Sequence, residues 1–249
     1  MKIILKFQKL KYITLKQLIK KINKKIYYFF RMIKIKNNPI ILKKQYFYKF
    51  NSKCNFLYNI MDKEKFIRKL YEYNLDTSIV IFADNICNHE FDLLGSGNKY
   101  LGKKIPWNED FKSGFKWKNR FYKNIKIVDL SNYADVKVPW ELSRFQHIFT
   151  LGKAYWITDN EKYAIEFKEE IVDWIQNNPI EVSVNWACTM DVAIRAVNLI
   201  CGYFFFAKSK NIDDNFWIEF NKSLYLHGRF IYKNLENEGQ HNGNHYLSD

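Results

Sequence analysis

Cysteine is scarce and scattered. The four thiols of this 249-residue chain fall at Cys54, Cys87, Cys188 and Cys201, and no two form a CxxC pair. That spacing indicates neither a disulfide framework nor a zinc knuckle. Cys188 and Cys201 fall in an apolar helical pattern, where a free thiol behaves as a small hydrophobe. No run of 18 uninterrupted apolar residues occurs, so a spanning helix is not expected. The N-terminus is basic but lacks a continuous apolar stretch and a small-residue cleavage site, so no secretory signal is evident and the compartment stays open. GxxxxGK(S/T) and the Rossmann glycine pattern are both absent, which removes support for nucleotide binding, and no cofactor is expected.

Acidic residues are missing from the first 61 positions. Sixteen Lys or Arg precede Asp62, whereas residues 62–249 carry 24 basic and 26 acidic side chains. The net charge of +14 therefore belongs to an N-terminal segment and not to the body. Nucleic-acid binding would rest on that segment alone, and no DNA-reading motif supports it. What remains is a chain 47% hydrophobic, enough to bury a core in one large or two smaller domains. Its 18% aromatic content suits packing and sugar stacking alike.

Three regions follow from the pattern: a basic region 1–61, a loop-rich mixed region 62–135, and helical hairpins over 136–249. Leu15, Leu18, Ile19, Ile22, Ile26, Phe29, Phe30 and Ile33 recur at helical steps opposite Lys16, Lys20, Lys21, Lys24 and Lys25. This predicts an amphipathic helix over 14–33, with Thr14 and Gln17 as a capping box. It reads either as a helix packed on the body, or as one in peripheral contact with an anionic membrane or an acidic polymer. A short helix is expected at 62–74, and a buried segment, strand or helix, at 77–82. Gly, Ser, Asn and Pro at 88–117 mark turns laid across helices. Further helices are predicted over 140–157, 160–176, 186–208 and 213–234, the last capped by Asp213. Short connections should pair them as antiparallel hairpins.

The helix at 186–208 is apolar except for Asp191, Arg195 and Asn198 on one stripe. Buried charge is costly unless paired. Either Asp191 and Arg195 form an ion pair, or the stripe lines a polar cavity. Glu141 and Arg144, beside Trp140, make a similar stripe one helix earlier. With Trp186, these two polar faces suggest the wall of a sugar-binding groove, although tryptophan at such places is as readily core. His89 and His147 read as structural.

Residues 238–249, EGQHNGNHYLSD, concentrate amides and imidazoles around two glycines. His241 and His245 are four apart, but Gly243 between them argues against a helical metal pair, and no third ligand is close in sequence; no metal is expected. From spacing alone Asn244 and His245 read as loop-capping residues.

Five segments in order resemble the heparinase II/III-like polysaccharide lyases and their alginate-lyase relatives. They are NHEFDLLGSG at 88–97, DFKSG at 110–114, PWELSR at 139–144, NW at 185–186 followed by CTMDVAIRA at 188–196, and GNHYLS at 243–248. The resemblance covers about residues 85–249. It implies a mainly α fold, an incomplete α/α toroid of antiparallel helical hairpins behind a loop-rich basic N-terminal region. It also implies β-elimination on a uronate-containing acidic polysaccharide, such as a glycosaminoglycan. Asn244 and His245 then occupy the family's carboxylate-neutralising positions, with Trp140, Glu141, Arg144, Trp186, Asp191, Arg195 and His241 as substrate-binding candidates. The catalytic Tyr, a further His or Tyr, the remaining toroid helices and a β-sheet domain are expected beyond residue 249, so this chain alone should be inactive and poorly soluble. A non-catalytic carbohydrate-binding toroid in bacterial surface-polysaccharide metabolism is the alternative.

Overall fold

A computed structural model describes residues 15–37 and 62–236. The chain divides into two compact units, residues 1–42 and 43–249. In the first, Leu15–Asn37 forms one helix, α1, with eight basic residues and no acid. Thr14 and the side chain of Gln17, the expected capping box, lie outside the described residues.

The second unit is mainly α, as the helical periodicities predict. Its helices are α2 (Lys63–Glu72), α3 (Asp76–Cys87), α4 (Lys137–Ser143), α5 (Ile148–Thr158), α6 (Lys162–Asn177), α7 (Thr189–Phe206) and α8 (Asp214–Lys233). Two antiparallel two-stranded ribbons lie between α3 and α4. One pairs β1 (Glu90–Phe91) with β2 (Lys99–Tyr100), and the other pairs β3 (Glu109–Asp110) with β4 (Phe115–Lys116). Alternate helices lie side by side: α3 on α5, α5 on α7, and α6 on α8. Consecutive helices α5–α6 and α7–α8 also pack together. Neighbours in sequence and next-but-one helices thus pack into one helical array.

The central helix is α5, which touches α2, α3, α6 and α7. Its sequence, IFTLGKAYWIT, is apolar nearly all round, as a helix covered on several sides must be. Gly152 sets the spacing to α7, because a Cβ there would lie 2.3 Å from the Phe205 ring. Gly202 on α7 similarly makes room for Phe167 of α6, whose ring stacks on Phe206 at 4.5 Å. Asp213 caps α8 as expected, its carboxylate accepting from Phe216 N at 2.9 Å.

Two boundaries differ from the sequence reading, and a segment left open between strand and helix is helical. Residues 77–82 belong to helix α3, and Ile81 and Phe82 are exposed while Ala83 and Ile86 are buried. The single helix expected over 140–157 is broken into α4 and α5 by a corner at 144–147, where Phe145 takes a left-handed φ of 59°. Leu142, Phe145 and Ile148 are all fully buried, so a three-residue apolar spacing persists through a bend that no helix period reveals. Finally, α7 starts at Thr189 and not at 186. Residues Val184–Trp186 form a 3₁₀ turn capped by Ser183, and Cys188 is extended.

Candidate functional site

The corner between α4 and α5 meets the N-terminal end of α7. A left-handed Phe145 is a strained backbone for a bulky residue, held because its ring packs against Trp107 and Trp174. The corner sets Arg144 against two carboxylates, Glu141 beside it in sequence and Asp191 on α7. Its Nε donates to Asp191 Oδ1 at 2.6 Å, and its Nη1 donates to Glu141 Oε2 at 2.5 Å. Asn198 Nδ2 fixes the corner from below by donating to Arg144 O at 2.7 Å. Asp191 is 1% exposed, whereas about a fifth of the Arg144 and Glu141 side chains remains accessible. Among the described residues Arg144 Nη2 has no partner, so an anion above the corner finds two free N–H donors on a guanidinium already oriented by two carboxylates.

Arg195 does not complete that network. Neither alternative from the sequence holds: Asp191 pairs with Arg144, and Arg195 lies wholly inside the protein. Its guanidinium donates to His227 Nε2 at 2.9 Å, Ser143 O at 3.3 Å and Asn185 O at 3.0 Å. It also stacks over Trp174 at 4.4 Å and Trp186 at 5.4 Å. Burial pulls its pKa down to about 9, partly offset by the charge of Asp191. The same burial, with the neighbouring Arg195 cation, pulls His227 down to about 3. His227 is therefore neutral, with Nδ1–H donating to Ser223 O at 2.8 Å and Nε2 accepting from Arg195.

Three of the substrate-contact candidates lie beneath the surface. Trp186 is 2% exposed and its indole N–H is taken by Asn178 O. Arg195 and Asp191 are buried as well. Covered this deeply, the three build the floor beneath the corner. Trp140 keeps part of its ring accessible, its Nε1 donating to Val184 O at 2.9 Å. Trp140, Glu141 and Arg144 are thus the candidates left at the surface. His241, Asn244 and His245 lie outside the described residues. The last described residues are held at this end of α7: Thr189, its first residue, donates its N–H to Glu236 and its hydroxyl to Asn234 O, both at 2.8 Å.

Several signature residues turn out to build the frame. Asp110 closes the turn of the second ribbon, accepting from Lys112 N and Ser113 Oγ, and its Oδ2 also takes the N–H of Asp135 just before α4. Gly114 supplies the left-handed φ of 76° that this turn requires. Asn185 donates to Trp107 O at 2.7 Å and to Asn178 Oδ1 at 2.9 Å. His89 and His147 face α6 carboxylates, Glu166 at 3.2 Å and Glu170 at 2.6 Å. The partnership with His227 was not legible in the sequence. Its helical spacing marks it as facing inward, but nothing in the pattern names its partner. Among the described residues no cluster of His, Cys, Asp and Glu could hold a metal ion.

A layered helical domain with a polar corner at the start of one central helix is the class of protein these features define. The family model described as heparinase II/III N-terminus matches residues 19–249, and the chain belongs to that family. Over 46 residues it is 39% identical to a heparin-sulfate lyase from Bacteroides stercoris, a match covering 18% of this chain and 7% of that protein. Its fold is similar to that of heparan sulfate lyase HepC from Pedobacter heparinus, with a TM-score of 0.52 at 24% identity over 69% of this chain. A heparinase III gene product gives a TM-score of 0.53 at 19% identity over 84% of this chain. The matches cover only 24% and 34% of those two structures.

Proposed function

We propose that this chain is the helical N-terminal part of a lyase that cleaves a uronate-containing polysaccharide by β-elimination. Family membership supports the class of reaction. The observation that carries the assignment of the site is the partly accessible Arg144, clamped by Glu141 and Asp191 with two donors open. It lies at the end of α7 that also holds Asn234 and Glu236.

The chemistry sets what such a site must do. Removing the C5 proton of a uronate places new negative charge beside an existing carboxylate. Donors aimed at that carboxylate lower the barrier by stabilising the enolate-like state. Asn244 and His245 are assigned that role, an amide and an imidazole donating to the carboxylate oxygens. Arg144 would hold a neighbouring acidic group, and the accessible face of Trp140 would pack on a sugar ring. A base at C5 and an acid at the leaving oxygen are also required. Neither is assigned within these 249 residues, so the chain by itself is proposed to be inactive. In α1, the eight basic residues without an acid also suit peripheral contact with an anionic membrane, tested by co-sedimentation with anionic against neutral vesicles.

The test uses the gene product that carries this chain, offered a panel of uronate polysaccharides while ultraviolet absorbance from unsaturated uronyl ends is followed. Product should form, and Asn244→Ala or His245→Ala should slow it by roughly 10²–10³, the usual cost of one such donor. Retention on a polysaccharide without any new absorbance would replace the lyase with a non-catalytic binding toroid.

A further inference from the structure

A second basic surface lies on the two ribbons, away from the Arg144 corner. A cleft of about 690 Å³ includes Lys99, Tyr100, Lys104 and Lys116 in its wall, and a cleft of about 310 Å³ includes Lys116, Lys118 and Arg120. Lys116 on β4 is common to both, so the two form one track across the ribbon. All five cations are exposed, and among the described residues none is in an ion pair.

The acids of the track are mostly spent. Asp173 accepts from Trp107 Nε1 at 2.6 Å and from Asn177 Nδ2 at 3.0 Å. Asp129 is paired with Lys126 at 2.8 Å and accepts from Ser131. Glu109, across the ribbon from Lys116, is the remaining acid. Cations outnumber acids along the track, and a polyanion laid along them relieves their mutual repulsion. Aromatic rings are interleaved with the charges: Tyr100 is 63% exposed and Phe115 38% exposed. The smaller cleft is lined by Trp117, Ile125, Ile127 and Ala134, which belong to an apolar cluster against which Trp140 also packs.

We propose that Lys99, Lys104, Lys116, Lys118 and Arg120 form a binding track for an acidic polysaccharide, holding the polymer at a distance from where it is cut. The identity of the anion rests on the proposed function; the track itself rests on charge and shape.

Lysine acetylation of the protein by a limiting amine-reactive ester, with and without a heparin-derived oligosaccharide and read by peptide mass spectrometry, tests it. Lys99, Lys104, Lys116 and Lys118 should react several-fold more slowly with the oligosaccharide present, while the exposed Lys208 and Lys210 are unchanged. A variant with Lys20, Lys21, Lys24 and Lys25 changed to Gln should show the same protection. Equal rates at the four ribbon lysines, equal slowing at Lys208 and Lys210, or loss of protection in that variant would each overturn the track. Protection without unsaturated product from the gene product would sink the lyase reading and leave the track standing; product without protection would sink the track alone.

Discussion

Replacing Arg195 with methionine sets two large effects against each other. In favour of the variant is the cost of keeping a cation out of water, several kcal/mol even after relaxation. Against it stand the groups left behind. Ser143 O, Asn185 O and His227 Nε2 all take hydrogen bonds from this guanidinium and have little access to water. An orphaned buried acceptor costs about 1–3 kcal/mol. The stacking over Trp174 and Trp186 adds up to about 2 kcal/mol for a desolvated cation. Exchanging a buried ionic group for an apolar one is harmless only when its partners are exchanged too. Here two of the partners are backbone carbonyls, which no substitution removes.

The losses should therefore win, by about 3–5 kcal/mol. For a chain of this size that lowers the thermal midpoint by roughly 6–20 °C. Calorimetry or circular dichroism on Arg195→Met reads the shift, with Arg195→Lys as the control that keeps the charge and loses the fork. A midpoint for Arg195→Met at or above that of the parent would refute the reasoning, because the buried charge would then be a net burden. Full recovery in Arg195→Lys would refute it differently, by showing that charge and not fork geometry holds the floor of the site.

Gly152→Ala should destabilise the protein by about 1–3 kcal/mol through overpacking, since the new methyl would sit 2.3 Å from Phe205 and α5 would have to move off α7; a denaturant midpoint within error of the parent would contradict that. Stability should also fall on both sides of about pH 6.5. His227 is held neutral with its pKa near 3, so the unfolded chain takes up its proton first as pH drops below the ordinary value of 6.5, and stability is lost by up to about 1.4 kcal/mol per pH unit from there toward 3. His89 is pushed up to about 9 by the Glu166 carboxylate and Gly102 O, so its contribution is complete below 6.5 and is lost as pH rises through 9. Urea midpoints measured across pH should trace that maximum, and His89→Gln should flatten the alkaline side; a midpoint rising steadily from pH 7 to 9 would show the assignment to be wrong.

The helices were legible because their apolar residues repeat at the helical period over long stretches, and the stop at Asn177-Asn178-Pro179 and the cap at Asp213 are chemically local. The corner at Phe145 was not, because its strain is stabilised by Trp107 and Trp174, which are distant in sequence. The same division runs through the site. Glu141, Arg144 and Asp191 could be picked out as polar residues on apolar helices, yet the partner of Asp191 could not be chosen by spacing. Arg195 is four residues away on the same helix, the usual distance for an ion pair, while Arg144 is 47 residues away. What decides between them is the bend. It carries Arg144 over the end of α7 and leaves Arg195 pointing inward at two tryptophans and a neutral histidine. Two arginines at one end of a buried helix thus take two jobs by depth: Arg144 keeps about a fifth of its side chain accessible, and Arg195 fixes the main chain at Ser143 and Asn185 on which the corner depends.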